Sequence, residues 1–309
     1  MAEFSSSKTW SVQHKFEASH LDSVWATCFS PHHLLSGSLD GTLKVREKSN
    51  YSVVGATPPH KMGITSISST SAGDTAIVCY ADAVIKSFDL TNIENGVVNE
   101  TNILNPGLLE AWTVCISPTD DALAYGNHKG IVNICSLDTN HTNLCKFETN
   151  KFVLNLTFSN SADLAPKLAV SSIDGKISIL DISSQKIETV LSQHNLPVRS
   201  LCFSPDSNLL YSASDDRHVS VYDLVSGQVV NSFSHSGMCL SVDASPDHRH
   251  FVVGCADSKV SFWDLGMQRC IQTFDGHTDH VWSVKFDQHD PAGNTVASAG
   301  EDALLNIFG

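Results

Sequence analysis

Short runs of alternating apolar and polar residues cover most of the chain. The stretch from His194 to Leu224 holds three such runs, VRSLCF, LLYSAS and HVSVYDL, separated by the turn-forming segments SPDSN and DD. Successive side chains of a β-strand point to opposite faces, so a period of two with one apolar face predicts a strand. The stretch is therefore predicted to form three strands in succession.

This three-strand unit recurs along the whole chain. Each copy has a corner residue seven positions before the end of its third strand; these residues are Asp40, Asp82, Lys129, Asp174, Asp216, Asp257 and Asp302. They follow one another at intervals of 41 to 47 residues. Repeats of this length that contain several strands are typical of β-propellers. The pattern predicts an all-β, seven-bladed propeller forming a single domain, residues 1–309, with blades that start near residues 20, 60, 108, 150, 194, 235 and 277.

The two ends of the chain are predicted to meet in one blade. The last unit stops after its third strand, at Phe308 and Gly309, and so lacks a fourth. The segment WSVQHKF precedes His20 just as GQVVNSF precedes His235. We therefore expect residues 1–19 to supply the missing strand, since closing the ring removes exposed sheet edges. The long, Asn-rich segment Thr91–Gly107 is predicted to be a connection between the second and third blades.

Histidine, serine and aspartate recur at fixed places in these units, and with Trp263-Asp264 they resemble the signature of WD-repeat proteins. That resemblance implies a structural hydrogen-bond network inside each blade. The matching residues here are His20, Ser36, Asp40, His60, Asp82, Asp174, His194, Ser212, Asp216, His235, Asp257, Trp263, His277, Ser298 and Asp302. A Ser-His-Asp trio could also be catalytic, but an enzyme needs one activated nucleophile, not a periodic set. The protein is predicted not to be an enzyme.

Composition narrows the classes of partner and ligand. The net charge is −14, whereas binding to a phosphate backbone needs surplus Lys and Arg, so no direct binding of nucleic acid is expected. The nine cysteines include no CxxC pair and the fifteen histidines no helical HxxxH or HExxH motif, so we expect reduced thiols, no metal and no cofactor. No basic-plus-apolar leader and no apolar run of about 18 residues is present, which predicts a soluble, intracellular protein with no membrane partner.

One position in the first strand of the units holds three of the five tryptophans. Through the seven units this position is Trp25, Thr65, Trp112, Leu154, Arg199, Leu240 and Trp282. In WD-repeat proteins it lines the top face around the channel, together with the residue before the corner Asp, which here is Leu39, Ala81, His128, Ile173, Asp215, Ala256 or Glu301. The resemblance implies an apolar, aromatic surface with an Arg on one side.

Two interpretations of these tryptophans stay open. Trp and Arg are frequent in binding hot spots, so the first predicts that partners bind through Trp25, Trp112, Leu154, Arg199, Leu240 and Trp282. The second predicts that the tryptophans are buried as filler between blades.

A closer resemblance rests on the strings VWATCFS, AWTVCISP, PVRSLCFSPDS and DHVWSVKF. They are similar to the propeller subunits of the superkiller (Ski) complex, which in animals also occur in the polymerase-associated factor (Paf) complex. The resemblance covers residues 20–309 and implies a non-catalytic adaptor. It would dock on a tetratricopeptide-repeat scaffold beside an RNA helicase and assist 3′-to-5′ mRNA decay by the exosome, or join transcription elongation and histone modification. It also implies a top face that binds short Gln-Arg-containing segments ending in a hydrophobic residue.

A substrate receptor of a cullin-type ubiquitin ligase is the alternative function. Such receptors carry a WDxR box, whereas Trp263-Asp264 is followed here by Leu265-Gly266 and Tyr222-Asp223 by Leu224-Val225. The missing box disfavours this alternative.

Overall fold

The computed structural model describes residues 8–107, 109–138, 141–149, 151–160 and 166–309. Within these ranges all regular secondary structure consists of β-strands. The N-terminal strand is β1 (Val12–Phe16). The remaining strands form seven successive groups, which we call blades 1 to 7.

The strands of each blade follow one another in the chain. Blade 1 holds β2 (Val24–Phe29), β3 (His33–Ser38), β4 (Leu43–Glu47) and β5 (Val53–Ala56), and blade 2 holds β6 (Ile64–Ser69), β7 (Thr75–Tyr80), β8 (Ile85–Glu94) and β9 (Val97–Leu104). Blade 3 holds β10 (Thr113–Ile116), β11 (Ala122–Gly126), β12 (Ile131–Ser136) and β13 (Asn143–Glu148), and blade 4 holds β14 (Val153–Phe158), β15 (Lys167–Ser172), β16 (Ile177–Asp181) and β17 (Lys186–Leu191).

The second half of the chain repeats the arrangement. Blade 5 holds β18 (Val198–Phe203), β19 (Leu209–Ser214), β20 (His218–Asp223) and β21 (Gln228–Ser234), and blade 6 holds β22 (Cys239–Ala244), β23 (His250–Cys255), β24 (Val260–Asp264) and β25 (Arg269–Phe274). Blade 7 holds β26 (Val281–Phe286), β27 (Val296–Gly300) and β28 (Leu305–Phe308). Its fourth strand is β1, which pairs with β28.

The blades form a closed ring around their first strands. Each first strand contacts the first strand of the next blade, and β26 of blade 7 contacts β2 of blade 1. Seven apolar clusters of buried residues lie among the described residues, and each is shared by two adjacent blades. The core is thus a ring of interfaces between sheets, which confirms the predicted seven-bladed propeller.

Side chains on the first strands add polar links between neighbouring blades. The backbone N–H of Thr27 donates to Ser283 Oγ at 3.2 Å, that of Leu201 to Asn155 Oδ1 at 3.1 Å, and that of Val284 to Ser241 Oγ at 3.0 Å. Backbone groups of an innermost strand have no further strand beside them, so these side chains satisfy donors that would otherwise be buried without a partner.

Blade 7 is closed by the N-terminal strand, as predicted. Strand β1 pairs antiparallel with β28, with Val12 opposite Phe308 and Phe16 opposite Leu305. Trp10, just before β1, is only 2 % exposed and stacks on Phe262 with 4.4 Å between ring centroids. The N-terminal segment is therefore held both by a strand ladder and by the core between blades 6 and 7. Residues 1–7 of the predicted closing segment lie outside the described ranges. So do residues 108 and 150, near which the third and fourth blades were predicted to start.

The prediction of a connection over Thr91–Gly107 was wrong. Much of this segment forms the end of β8 and all of β9, the outermost strand of blade 2. An outermost strand packs one face only, so its polar Asn residues can face solvent while Val98 is buried. A single parallel bridge between Ala56 and Val97 joins this strand to blade 1.

No helix long and apolar enough to cross a bilayer occurs in the part of the chain that the structure describes.

Candidate partner-binding site at the channel mouth

The propeller has a central cavity of about 740 Å³. Its lining includes every residue of the first-strand position that the sequence singled out, namely Trp25, Thr65, Trp112, Leu154, Arg199, Leu240 and Trp282. The fold therefore brings these seven side chains, spread over the length of the chain, to one opening.

A backbone irregularity places most of these side chains. The register between the first and second strands shifts at this position in six blades, between Val24 and Ala26 in blade 1 and at the equivalent place in blades 2, 4, 5, 6 and 7. The residue in the shift, such as Trp25, has no partner across the ladder. A bulge of this kind re-aims its side chain and increases the local twist, which turns the side chain toward the channel.

The three tryptophans form one aromatic cluster at the mouth. Trp25 lies 5.0 Å from Trp282 and 6.3 Å from Trp112 between ring centroids. All three are half-buried, and none belongs to the apolar clusters between blades. Their rings thus face the cavity that partners could enter, whereas Leu240 is only 4 % exposed and forms part of its wall.

Two further aromatic residues extend this cluster. Phe152 stacks on His128 at 4.1 Å and meets Trp112 edge-on at 5.5 Å. His280 stacks on Trp282 at 5.9 Å. Phe152 and His280 each lie two residues before the first-strand position of their blade. The same position holds Ser23, Gly63, Glu110, Pro197 and Met238 in the other blades, so no pattern in the sequence marks the two aromatic residues.

Carboxylates at the mouth change the expected electrostatics. Glu301 accepts hydrogen bonds from the indole N–H of Trp282 at 2.5 Å and of Trp25 at 3.4 Å. Asp215 accepts two from Arg199, at 2.9 and 2.7 Å, in the paired geometry that suits guanidinium and carboxylate. The arginine that was expected to mark one side is therefore neutralised, and Glu301 leaves the aromatic side anionic.

Aromatic faces with a carboxylate favour a cationic ligand. The face of an indole ring carries partial negative charge and attracts Lys, Arg or other cations within about 6 Å. Trp25 and Trp282 present such rings, and the Glu301 carboxylate between them supplies a full charge. The site is thus suited to a positively charged, partly apolar side chain.

The His-Ser-Asp trios lie inside three blades. His20 bonds Ser36 at 2.9 Å and Asp40 at 3.2 Å. His194 lies 2.7 Å from its serine and 2.7 Å from its corner aspartate. His277 lies 2.7 Å from its serine and 3.0 Å from its corner aspartate. Each trio ties the loop before the first strand to the second strand and its corner.

The serines of these trios cannot meet a substrate. Ser36, Ser212 and Ser298 are fully buried, so no reacting group can reach their hydroxyls. Burial lowers the pKa of His20 to about 4, so this ring is neutral at pH 7, and its one N–H donor and one acceptor nitrogen bond only to neighbouring side chains of the blade.

The other residues of the predicted network are connected differently. His60 bonds Asp82 at 2.8 Å, and Asp174 accepts from Ser172 at 2.6 Å. In blade 6 the pattern departs from the prediction: Asp257 accepts from Ser236, and no hydrogen bond joins it to His235. Trp263 packs on His235 and Phe233, and its indole N–H has no partner among the described residues.

Comparison with known proteins identifies the repeat. The family model "WD domain, G-beta repeat" matches residues 10–46, 185–223, 227–264 and 268–308. The chain is 32% identical to the WD repeat-containing protein SL1-17 of Schistosoma mansoni over 94% of this chain and 95% of that protein. It is 33% identical to the WD repeat-containing protein VIP3 of Arabidopsis thaliana over 75% and 76%, and 26% identical to the meiotic recombination protein rec14 of Schizosaccharomyces pombe over 72% and 73%.

Proposed function

The chain belongs to the WD-repeat family, and from this premise we propose that it is a non-catalytic scaffold subunit that binds partner proteins through the channel mouth. The observation that carries the proposal is the cluster of Trp25, Trp112 and Trp282 with Glu301, half-buried around one opening of a rigid ring. Aromatic residues in a partly desolvated pocket are the usual energetic centre of a protein interface.

The ligand that this mouth fits best is an arginine-containing peptide segment. A guanidinium group can stack on Trp25 or Trp282 while it donates to the free oxygen of Glu301. The apolar wall that includes Leu154 and Leu240 would receive a hydrophobic side chain of the same segment. This chemistry agrees with the Gln-Arg-containing segments that the sequence resemblance implies.

For the partner's identity, the sequence resemblance supports the superkiller complex. We propose that the protein docks there on the tetratricopeptide-repeat scaffold beside the RNA helicase, in support of exosome-mediated 3′-to-5′ mRNA decay. A second assembly, the polymerase-associated factor complex, would use the same mouth in transcription elongation. Because the two assemblies act in different compartments, we propose that the protein occurs in both the cytoplasm and the nucleus.

Binding of a labelled peptide tests the mouth. A fluorescent peptide with a Gln-Arg pair and a terminal hydrophobic residue should bind the purified protein, and fluorescence anisotropy gives its Kd. Replacing the peptide's arginine by citrulline, which has almost the same size, removes the positive charge and exchanges one N–H donor group for an oxygen. The Trp282→Ala variant removes one ring, and each change should weaken binding at least tenfold. The matched control is Val225→Ala, because Val225 is exposed in the turn between β20 and β21. This variant should bind the peptide as tightly as the unmodified protein does.

Affinity purification with mass spectrometry tests the assembly. Recovery of a tetratricopeptide scaffold with a helicase supports the superkiller proposal, and elongation-factor subunits support the polymerase-associated one. Both should disappear with Trp282→Ala. A cullin adaptor recovered instead would overturn the proposed assemblies.

A further inference from the structure

Blade 6 brings together three side chains that bind soft metal ions. His235 lies in the loop before β22, Cys239 is the first residue of β22, and Cys255 is the last of β23. Their ligand atoms all lie within 4.8 Å of one another. The sequence predicts no metal here, because spacings of four and sixteen residues match no familiar ligand motif.

The distance between two of the three ligand atoms suits a tetrahedral metal. His235 Nδ1 lies 3.6 Å from Cys255 Sγ. Ligands at the usual Zn–S and Zn–N bond lengths, seen at a tetrahedral angle, are about 3.6 Å apart. An ion between these atoms would therefore need little movement of either side chain.

The histidine of this blade is free of the bonds that hold its counterparts. In blades 1, 5 and 7 the equivalent histidine bonds a serine on the second strand and the corner aspartate. In blade 6 that serine is replaced by Val253, and the corner residue Asp257 accepts a hydrogen bond from Ser236 instead. In the described structure His235 Nε2 and Asp257 Oδ1 are both buried without a hydrogen-bond partner. His235 Nδ1, the atom that bonds the corner aspartate in those three blades, faces the Cys255 thiol instead.

The two cysteines also replace a recurrent pair. Cys239 and Cys255 face each other across the ladder, where blades 1, 4 and 5 have Val24 with Ser38, Val153 with Ser172, and Val198 with Ser214. Neither cysteine is needed to make this part of a blade fold, since Val and Ser serve in its neighbours.

We propose that His235, Cys239 and Cys255 bind one Zn²⁺ ion beneath the top face of blade 6. Two thiolates and a neutral imidazole around a divalent cation make a site of zero net charge, which can be buried at little electrostatic cost. Three protein ligands leave a fourth position for water, on the side where His235 is partly exposed. The ion would fix the loop before β22 to two strands, one residue from Leu240 of the channel wall.

Metal titration of the full chain tests this site. The reduced protein is stripped with a chelator, dialysed, and titrated with Co²⁺ as a spectroscopic probe and with Zn²⁺ in competition with a chromophoric chelator. We expect one equivalent, a sulfur-to-cobalt charge-transfer band, and a melting temperature that rises with Zn²⁺.

Two variants make the result decisive. Cys239→Val with Cys255→Ser copies the pair found in blades 1, 4 and 5 and should fold, yet lose the bound equivalent, the cobalt band and the zinc-dependent rise in melting temperature. Cys145→Ala with Cys270→Ala removes two thiols outside the site and should keep all three. Unchanged stoichiometry in the first variant, absence of a cobalt–thiolate band, or a Cys239–Cys255 disulfide that resists the reductant would overturn the proposal.

Discussion

At the scale of single residues, position in the blade decides what a side chain does. His194, Ser212 and Asp216 have the composition of a hydrolytic site, but the serine is fully buried and the trio holds a corner. His235 occupies the same place in blade 6, and the change of one serine to Val253 releases it. The same histidine position is thus a structural brace in one blade and a candidate ligand in another.

Acid should weaken the fold through His20. Its pKa is about 4 when folded, against an ordinary value of 6.5, so between these values the unfolded chain takes up a proton that the folded chain excludes. Its contribution to stability is therefore full above pH 6.5 and falls as the pH drops, by up to about 3 kcal/mol near pH 4. Urea unfolding at pH 7 and pH 5 measures the loss.

A variant isolates this contribution. His20→Gln should be less stable at pH 7 and should lose less stability on acidification than the unmodified protein. His14→Gln, at an exposed position in β1, should keep the full pH dependence. Equal pH slopes for the His20→Gln variant and the unmodified protein would contradict the assignment.

The tryptophans of the mouth should matter more for binding than for stability. Trp25 and Trp282 are half-buried and contact each other, so changing both to Ala removes little core packing. We expect the free energy of unfolding to fall by no more than about 1 kcal/mol, while partner binding is lost. Calorimetry and peptide anisotropy on one preparation compare the two. A loss of several kcal/mol would favour the filler interpretation.

At the scale of elements, alternation and turn residues predicted the inner strands well, because these strands are packed on both faces by neighbouring blades. The outermost strands were harder. Strand β1 could be predicted, since WSVQHKF shares its place and pattern with the fourth strand of blade 5. Strand β9 could not, because an outer strand tolerates polar residues on its exposed face, and VVNETNIL shows little alternation.

The anchor of the N-terminal strand is Trp10. Its ring is buried against Phe262 and Phe286, so Trp10→Ala should lower the free energy of unfolding by about 3–5 kcal/mol, the usual cost of removing a large aromatic side chain from a core. Denaturant titration measures it. Lys15→Ala, on the exposed side of the same strand, should change stability by less than about 0.5 kcal/mol. Similar values for the two variants would show that the ring is not held by this packing.

At the scale of the whole molecule, the repeat length was enough to predict the number of blades and the first-strand position was enough to predict which residues meet at the channel. The charge of the mouth could not be predicted in this way. It depends on which side chains pair across blades, as Glu301 of blade 7 does with Trp25 of blade 1, and such pairs come from ring closure rather than from local spacing.

The overall charge gives a prediction for nucleic acid. With a net charge of −14 the protein should not bind single-stranded RNA at physiological salt, because too few phosphates could be neutralised to release counterions. An electrophoretic mobility assay with a labelled RNA tests the purified chain. A shift that weakens as salt rises would reveal a basic surface and contradict this expectation.

Closure of blade 7 by β1 also has a consequence for synthesis. Strand β1 leaves the ribosome long before its partner β28 is made. Until Leu305–Phe308 emerge, β1 lacks its partner and the first strand of blade 1 lacks its neighbour β26. Contacts of such long sequence separation form slowly and leave edges exposed meanwhile. The nascent chain therefore has to be kept from pairing with other chains until the ring can shut.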